Sequence, residues 1–484
     1  MKKALSLILA LLLAGSTLFS MAACGETQDD PKDTNDVITS GEAETEKDLA
    51  YNTVEKQRFD RDFVIYVRED GARQFVAESF TGVLLNDLIY ERNSTVANDF
   101  GITFKHQLAS ADTINSDMRL QVSGGMTEYD LYDTNLFSFS SCAHSGYCYN
   151  LADIDTINLT TDWWDQACIE NLSIDGKTYI ATGDLHPASK LTTSCMVVNK
   201  KILTNQQKKI DDLYNLVTDG GWTLDVMYDY CDGLTMDLNG DDIIDYDHDF
   251  YGYTSWYLDS TFSMFYGAGG RFVTNVDGLP ELAYSAEKLT DIYDKLYAIM
   301  IEQNSFLCTD VALHEDTYQI FTEGRALFCD ATLNKISTME ITQMPDPYGI
   351  LPIPKYDTNQ PEYLGFVNGS SVMGMVASNH QDVDFVGIIL EAMSTFDYDK
   401  VTPNLFEVAT KLQTAQDPAS AAMVDYIVRN RIYDLAYFGE LGLPEMIRDG
   451  LADKKESIAS ILKTNTSIAS KKLQQIVNKY AKHQ

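Results

Sequence analysis

Positive charge is scarce in this chain. Thirty-six Lys and Arg stand against 72 Asp and Glu, which gives a formal net charge of −36. No Lys/Arg cluster interrupts the acidic sequence, so nucleic acid and an anionic membrane surface are excluded as direct partners. After the first two dozen residues, no apolar run approaches the length of a membrane span.

Cysteine spacing gives no sign of a metal site or of a complete disulfide framework. Besides Cys24, the chain has seven cysteines, an odd number, and none of them stands in a CxxC pair. This pattern argues against a zinc site. Cys142 and Cys148 are close enough in sequence to form a disulfide, but buried thiols are the preferred interpretation for most of the seven.

Catalytic signatures are missing as well. The sequence contains no G-x-S-x-G, no H-E-x-x-H and no phosphate-binding glycine loop. Carboxylates are so numerous that some pair always resembles the acid and nucleophile of a glycosidase, and sequence spacing cannot establish such a pair. We therefore predict that the chain is not an enzyme.

The N-terminal segment carries the pattern of a signal peptide. Lys2 and Lys3 precede an apolar run over residues 4–19, and Ala22 and Ala23 stand directly before Cys24. A plain secretory signal would also end in small residues, but the position of Cys24 resembles the bacterial lipoprotein signal, in which that cysteine is lipidated. We expect residues 1–23 to be removed and residues 24–57, which are polar and acidic, to form a disordered tether.

The next hundred residues alternate between strand and helix patterns. Apolar runs of strand length and stretches of helical spacing follow one another at 63–67, 85–100, 102–104, 114–122 and 129–132. This β-α-β-α-β order predicts an α/β fold with a largely parallel sheet, and ligands at the carboxyl ends of its strands. Asp133, Thr134 and Asn135 follow one such strand, and a second α/β unit begins near Met196.

One acidic stretch has the spacing of a calcium loop. Oxygen side chains recur at alternate positions, and Ca²⁺ takes six to eight oxygen ligands. His248 stands where a bidentate Glu usually closes such a loop. An acidic surface loop is the alternative interpretation. The predicted structural Ca²⁺ site comprises Asp237, Asn239, Asp241, the carbonyl of Ile243, Asp245, and Asp247 or Asp249.

The four tryptophans are candidates either for the core or for a ligand pocket. Aromatic rings stack on the apolar faces of sugars, while nearby acidic side chains accept hydroxyl protons. Trp222 precedes Thr223, a helix N-cap type, and is predicted to be structural. Trp256, beyond the acidic loop, is the best pocket candidate.

Several short motifs occur once each along the chain, and their order resembles that of a known family. They include Trp163-Trp164-Asp165-Gln166, Thr182-Gly183-Asp184, Gly221-Trp222-Thr223 and Gly349-Ile350-Leu351-Pro352. Together with Cys24, they resemble the maltose-binding-like (family 1) extracellular solute-binding lipoproteins of ABC importers, as found in Firmicutes.

This resemblance implies a two-lobe, type II periplasmic-binding-protein fold, with a mostly parallel sheet flanked by helices in each lobe. Lobe I would comprise residues 58–158 and 349–380, and lobe II residues 159–348 and 381–484. The cleft between them would be lined by Asp133, Thr134, Asn135, Asp184, Trp256, Asp259, Asp330 and Tyr433.

The function that follows from the resemblance is solute capture. The protein would bind a sugar or oligosaccharide between its lobes and deliver it to an ABC permease. It would be a monomer held by its lipid alone at the extracellular face of a Gram-positive cell membrane. A surface carbohydrate-active enzyme, a sensor or adhesion protein, and a peptide binder of the same fold are the alternatives.

Overall fold

The computed structural model describes residues 49–138, 142–338, 344–406 and 418–482. Its strands are β1 (Arg61–Arg68), β2 (Ile102–Ala109), β3 (Leu131–Asn135), β4 (Ser194–Asn199), β5 (Tyr251–Trp256), β6 (Val273–Val276), β7 (Leu279–Leu282), β8 (Phe306–Cys308), β9 (Ala326–Thr332), β10 (Tyr348–Leu351), β11 (Gly365–Phe366), β12 (Val372–Met375) and β13 (Arg431–Ile432). Its α-helices are α1 (Leu84–Phe100), α2 (Ala111–Gly124), α3 (Gln166–Leu172), α4 (Lys200–Asn205), α5 (Ile210–Thr218), α6 (Leu224–Cys231), α7 (Asp259–Gly267), α8 (Ala286–Tyr297), α9 (His314–Thr322), α10 (Leu333–Thr338), α11 (Val383–Phe396), α12 (Pro418–Arg429), α13 (Leu435–Phe438), α14 (Leu443–Ala452) and α15 (Ala459–Tyr480).

The first sheet has the strand order β12-β3-β1-β2. Strand β1 pairs in parallel with both β2 and β3, and β12 joins β3 antiparallel. Phe63, Ile65 and Val67 in β1 are completely buried, as expected for a central strand covered by helices on both faces. The predicted β-α-β-α-β unit is confirmed.

Local sequence explains where the helices of this unit end. Gly101 follows α1 with a φ of 64°, and Gly125 follows α2 with a φ of 69°; both are left-handed positions that glycine adopts without strain. Ser110 begins α2 by accepting a hydrogen bond from the amide of Thr113. These signals lie within a few residues of the helix ends that they define.

The second sheet is mixed rather than mostly parallel. Its order is β10-β4-β9-β5-β8, and β5 is parallel to both β8 and β9. Strand β4 is antiparallel to β9 and to β10. The register sets Ser194, the first residue of β4, beside Thr332 at the end of β9. Because the chain enters β4 at the carboxyl edge of this sheet, β4 has to run opposite to β5 and β9.

The expected end of the tether at residue 57 is too late, because Ala50–Thr53 forms a 3₁₀ helix and Tyr51 is buried in the core of the first sheet. Two further segments differ from the expected lobe boundaries. Strand β10, expected at the start of the lobe I segment 349–380, pairs with β4 in the second sheet. Helix α11, expected in lobe II, buries Phe385 and Ile389 in one core with Phe63 of the first sheet. An apolar pattern marks a segment as buried, but it does not identify the sheet that covers it.

Paired backbone groups link the segments that run between the sheets. Ala181 and Gly374 exchange two backbone hydrogen bonds, at 2.7 and 2.8 Å. Thr193, just before β4, forms a bridge with Val367. In the part of the chain that is described, no helix combines the length and hydropathy needed to cross a bilayer.

The predicted state of the cysteines is confirmed for the described residues. Cys142, Cys148, Cys168, Cys195, Cys231, Cys308 and Cys329 are buried and none of them forms a disulfide. Burial raises the pKa of Cys148, Cys168 and Cys195 well above the usual thiol value, so these groups stay protonated and unreactive.

Candidate ligand-binding site

The loop of residues 368–371 joins the ends of strands from both sheets. On one side, Asn368 Nδ2 donates to Asp259 Oδ1 at 2.5 Å, at the start of α7 just beyond β5. On the other side, the amides of Leu136 and Phe137, just beyond β3, donate to the carbonyls of Ser371 and Gly369, each at 3.0 Å. Carboxyl ends of strands in α/β sheets are where ligands bind.

A second polar contact joins the turn after β1 of the first sheet to the helix after β9 of the second. Arg73, in the 3₁₀ turn Glu69–Gln74 after β1, donates Nη2 to Asn334 Oδ1 in α10 at 3.2 Å. We call the region between these two contacts the cleft. Its defining residues are Arg73, Asn135, Phe137, Trp256, Asp259, Asp330, Asn334 and Asn368.

Aromatic rings are present on both sides of the cleft. Phe137 is 52% exposed, a large value for a phenylalanine, and its ring centroid lies 5.8 Å from that of Tyr437. Trp256 is half-buried, and its amide donates to Ser260 Oγ at 2.7 Å. Tyr257 packs edge-on against Trp256 with ring centroids 6.3 Å apart. An exposed ring facing polar groups is suited to the apolar face of a sugar.

Two carboxyl groups of the second sheet have raised pKa values. Asp330 is buried and accepts hydrogen bonds from Ser260 Oγ at 2.5 Å and from Tyr253 Oη at 3.1 Å. Burial raises its pKa to about 7, and these two hydrogen bonds offset part of the rise. Burial likewise raises the pKa of Asp259 to about 6, against the hydrogen bond from Asn368. Around neutral pH, such groups can both donate and accept hydrogen bonds.

Solved structures with the same overall arrangement are binding proteins. A cyclo/maltodextrin-binding protein complexed with maltotetraose superposes with a TM-score of 0.57 at 13% identity, over 85% of this chain and 97% of that one. The cyclic α-maltosyl-1,6-maltose binding protein from Arthrobacter globiformis gives 0.56 at 14% identity, over 86% and 99%. An ABC transporter solute-binding protein from Thermotoga lettingae, bound with α-D-tagatose, gives 0.51 at 12% identity, over 88% and 100%.

The chain has the fold of maltose-binding-like solute-binding proteins. A scan against protein-family models and a search of curated proteins each find no match. The two-lobe architecture expected from the sequence is confirmed, and at these identities the likeness concerns the fold.

Within this fold, four of the eight predicted ligand residues lie on elements that border the cleft, and their contact with a ligand stays a prediction. Asn135 lies at the end of β3, Trp256 ends β5, Asp259 begins α7 and Asp330 lies in β9. Asn135 Oδ1 accepts from the amide and hydroxyl of Ser138 at 3.2 and 2.9 Å.

The structure places two other predicted residues inside the first lobe. Asp133 is fully buried and contacts His186 Nε2 through Oδ1 at 2.9 Å. Thr134 is fully buried and donates to Ser138 Oγ at 3.3 Å. Side chains alternate along β3, so Thr134 lies on the face opposite to Asp133 and Asn135, and it is the contact with His186 that takes up Asp133.

The last two predicted residues take part in buried polar contacts. Asp184 lies within 3.1 Å of Lys190 Nζ and accepts from Thr402 Oγ1 at 2.6 Å. Tyr433 is buried and donates to Asp165 Oδ2 at 2.5 Å. Asp165 also pairs with Arg431 at 2.6 Å, so these groups already have partners without a ligand.

Sequence reasoning missed four cleft residues, which are Arg73, Phe137, Asn334 and Asn368. Phe137 is an apolar residue two positions after Asn135, and this exposed position could have been suspected from the polar sequence around it. Arg73 and Asn368 carry no local signal, because each reaches the cleft through a contact with a residue far away in the sequence.

The acidic loop is folded by its own side chains. Asp237 accepts from the amides of Gly240 and Asp242 at 2.6 and 2.8 Å, and Asn239 and Asp241 each accept from the amide two residues on. Asp249 is buried and accepts from the amides of Leu238 and Asp245, and its pKa is lowered by these bonds.

Only part of the predicted ligand set converges. Within the described ranges, the metal-ligating group whose atoms lie within 4.8 Å of one another consists of Asp245, Asp247 and His248. Asp237, Asn239, Asp241, Ile243 and Asp249 are not part of it. The three converging residues supply carboxylate oxygens and one imidazole, which fits a weakly held cation. Cys24, the predicted lipidation site, lies outside the described residues.

Proposed function

We propose that this chain is an extracellular solute-binding lipoprotein of an ABC importer that captures a sugar or oligosaccharide in the cleft and delivers it to the permease. The observation that supports this most is the fold it shares with proteins solved in complex with maltotetraose and with α-D-tagatose. The residues of the cleft agree with such a ligand, because they combine exposed aromatic surface with carboxyl and amide groups.

Each group in the cleft would have a defined role in binding. The ring of Phe137 offers an apolar surface for stacking. Asp259 and Asn368 present a hydrogen-bonded carboxyl and amide that can exchange partners with sugar hydroxyls. The contacts at Arg73 and at Asn368 are single hydrogen bonds, so the lobes can part by hinge bending when ligand enters or leaves.

A surface carbohydrate-active enzyme is the second candidate, because Asp259 and Asp330 have pKa values raised to about 6 and 7, as a glycosidase acid requires. The position of Asp330 favours binding over catalysis. Its Oδ1 already accepts hydrogen bonds from both Ser260 and Tyr253 and is buried, so it is held as part of the scaffold.

The decisive experiment is titration calorimetry of the purified protein with maltotriose, cellobiose and a tripeptide, while the sugars are assayed for breakdown. We expect saturable sugar binding without product. The variant Phe137→Ala should bind about tenfold more weakly, since a lost aromatic contact is worth roughly 1 to 1.5 kcal/mol. Phe80→Ala is the matched control, because Phe80 is 65% exposed and its ring packs on Tyr90 of α1.

Three outcomes contradict the proposal. Binding of the tripeptide alone would replace sugar by peptide as the ligand, which also fits a sensor of the same fold. Release of a shorter glycan would identify an enzyme. Equal affinities of the Phe137→Ala and Phe80→Ala variants for sugar would remove the cleft as the binding site.

We also propose that the protein is a monomer anchored by a lipid on Cys24 at the extracellular face of a Gram-positive cell membrane. The supporting pattern is the basic start, the apolar run and the small residues before Cys24. In cells fed a labelled fatty acid, we expect label in the wild type and none in Cys24→Ser, which should leave the membrane fraction. Retention of label by this variant would refute the assignment.

A structural Ca²⁺ ion is proposed for the acidic loop, near Asp245 and Asp247. Removal of Ca²⁺ with a chelator should lower the melting temperature, because a bound ion stabilises the folded state by mass action. The variant Asp247→Asn should show a smaller response to the chelator than the wild type. An unchanged melting temperature would contradict the proposed structural Ca²⁺ ion.

A further inference from the structure

A pocket outside the cleft lies beside the first residues of the described chain. It encloses about 400 Å³ between residues 53–57, the segment 156–163 and helix α11. This volume is at the lower end of the range of small-molecule sites and suits one or two sugar rings. None of the cleft residues lines this pocket, so it is a separate feature of the surface.

The indole that lines this pocket is rigidly held. Trp163 is half-buried, and its Nε1 donates to Glu391 Oε2 at 2.6 Å. The other carboxylate oxygen of Glu391 accepts from Trp164 Nε1 and from the amide of Asn158, both at 2.9 Å. Glu391 is buried and accepts hydrogen bonds from these three donors. Its role is therefore to fix the ring of Trp163, and a ring fixed in advance loses little conformational entropy when a ligand binds.

The remaining lining groups select against anionic ligands. Thr53, Gln57, Asn158 and Thr161 provide neutral hydroxyl and amide groups around Trp163 and Ile388. Of the described residues, no Lys or Arg lines the pocket, and Glu55 and Glu391 are its ionisable groups. Phosphorylated and carboxylated ligands are disfavoured here, all the more because the chain carries a formal charge of −36.

We propose that this pocket, which we call the Trp163 pocket, is a second carbohydrate-binding site for a neutral mono- or disaccharide unit. An aromatic ring bordered by amides and hydroxyls, without basic groups, is the arrangement that binds the apolar face and the hydroxyls of a sugar at once. The site is independent of the cleft and holds a glycan beside residues 53–57.

The test uses saturation-transfer NMR on the full chain with maltotriose, cellobiose and N,N′-diacetylchitobiose as probes. The double variant Phe137→Ala/Asp259→Ala weakens the cleft, so that signal from the Trp163 pocket remains. Adding Gln57→Trp fills the pocket from its exposed rim. Gln475→Trp, on the exposed face of α15, is the matched control for adding an indole to the surface.

We expect at least one probe to bind the cleft variant, to lose its signal on addition of Gln57→Trp, and to keep it with Gln475→Trp. The proposal is overturned if no probe binds the cleft variant, if Gln57→Trp leaves the signal unchanged, or if both tryptophan substitutions abolish it. A failure of sugar binding in the cleft alone would leave this result intact, since the two sites are tested by different variants.

Discussion

Replacing Asp330 by asparagine should make the protein more stable at alkaline pH. Asp330 is 5% exposed, and its pKa is raised from 3.8 to about 7, with burial as the main cause. One pKa unit corresponds to about 1.4 kcal/mol, so the charged carboxylate costs the folded state about 4 kcal/mol at pH 8. Asparagine accepts weaker hydrogen bonds from Ser260 and Tyr253 than a carboxylate does, which leaves a net gain of about 2 kcal/mol.

The gain has a definite pH dependence. The folded protein holds this proton more tightly than the unfolded chain, so the protonated group does not destabilise the fold at low pH. The cost develops as pH rises from about 4 to about 7. The stability difference between Asp330→Asn and wild type should therefore grow by roughly 2 to 3 kcal/mol between pH 5 and pH 8.

Urea unfolding followed by circular dichroism at several pH values measures this difference. Asp62→Asn, at the exposed start of β1, is the control and should show no comparable trend. The nearest groups that could blur the result are Asp259, Tyr253 and Ser260, and all three are unchanged in the variant. A stability difference that stays constant from pH 5 to pH 8 would refute the assignment of a buried carboxyl group with a raised pKa at Asp330.

Two further substitutions test the scaffold around the cleft. Arg92→Met should cost about 3 to 5 kcal/mol of unfolding free energy, because Arg92 and Asp397 form a fully buried pair at 2.6 Å and the carboxylate would lose its partner. Adding Asp397→Asn should recover part of the loss in urea unfolding, and no recovery would contradict the pairing. Gly183→Ala should lower the melting temperature far more than Gly176→Ala, because both residues have positive φ but only at Gly183 would a Cβ meet a backbone oxygen, that of Trp163, at 2.3 Å. Equal effects of the two alanines would show that this close approach is relaxed in solution.

Local patterns were sufficient to predict β1, β2 and β3 of the first sheet, but not β12. The apolar run of β1, the helical spacing of α1 and the glycines that end α1 and α2 all act within a few residues. The second sheet was harder, because the antiparallel direction of β4 depends on where the chain enters it. The sequence likewise could not predict that α11 packs on the first sheet, since its apolar residues could pack on either sheet.

In the candidate site, too, local sequence predicts some residues, while the roles of others depend on contacts with residues far away in the chain. Asp133 and Asn135 are two residues apart on one face of the same strand, and nothing in their local sequence distinguishes them. The difference comes from His186, which is 53 residues further along the chain and pairs with Asp133. Asn368 was missed for the corresponding reason, because its role depends on a hydrogen bond to Asp259, 109 residues away in the sequence.

If the lobes separate, the loop of residues 368–371 stays with one of them and loses its contact with the other. If it stays with the first lobe, the Asn368 to Asp259 bond breaks and the amides of Leu136 and Phe137 remain protected. If it travels with the second lobe, those two amides are released to solvent while Asp259 keeps its donor. Hydrogen exchange of the Leu136 and Phe137 amides would therefore show which lobe the loop of residues 368–371 stays with.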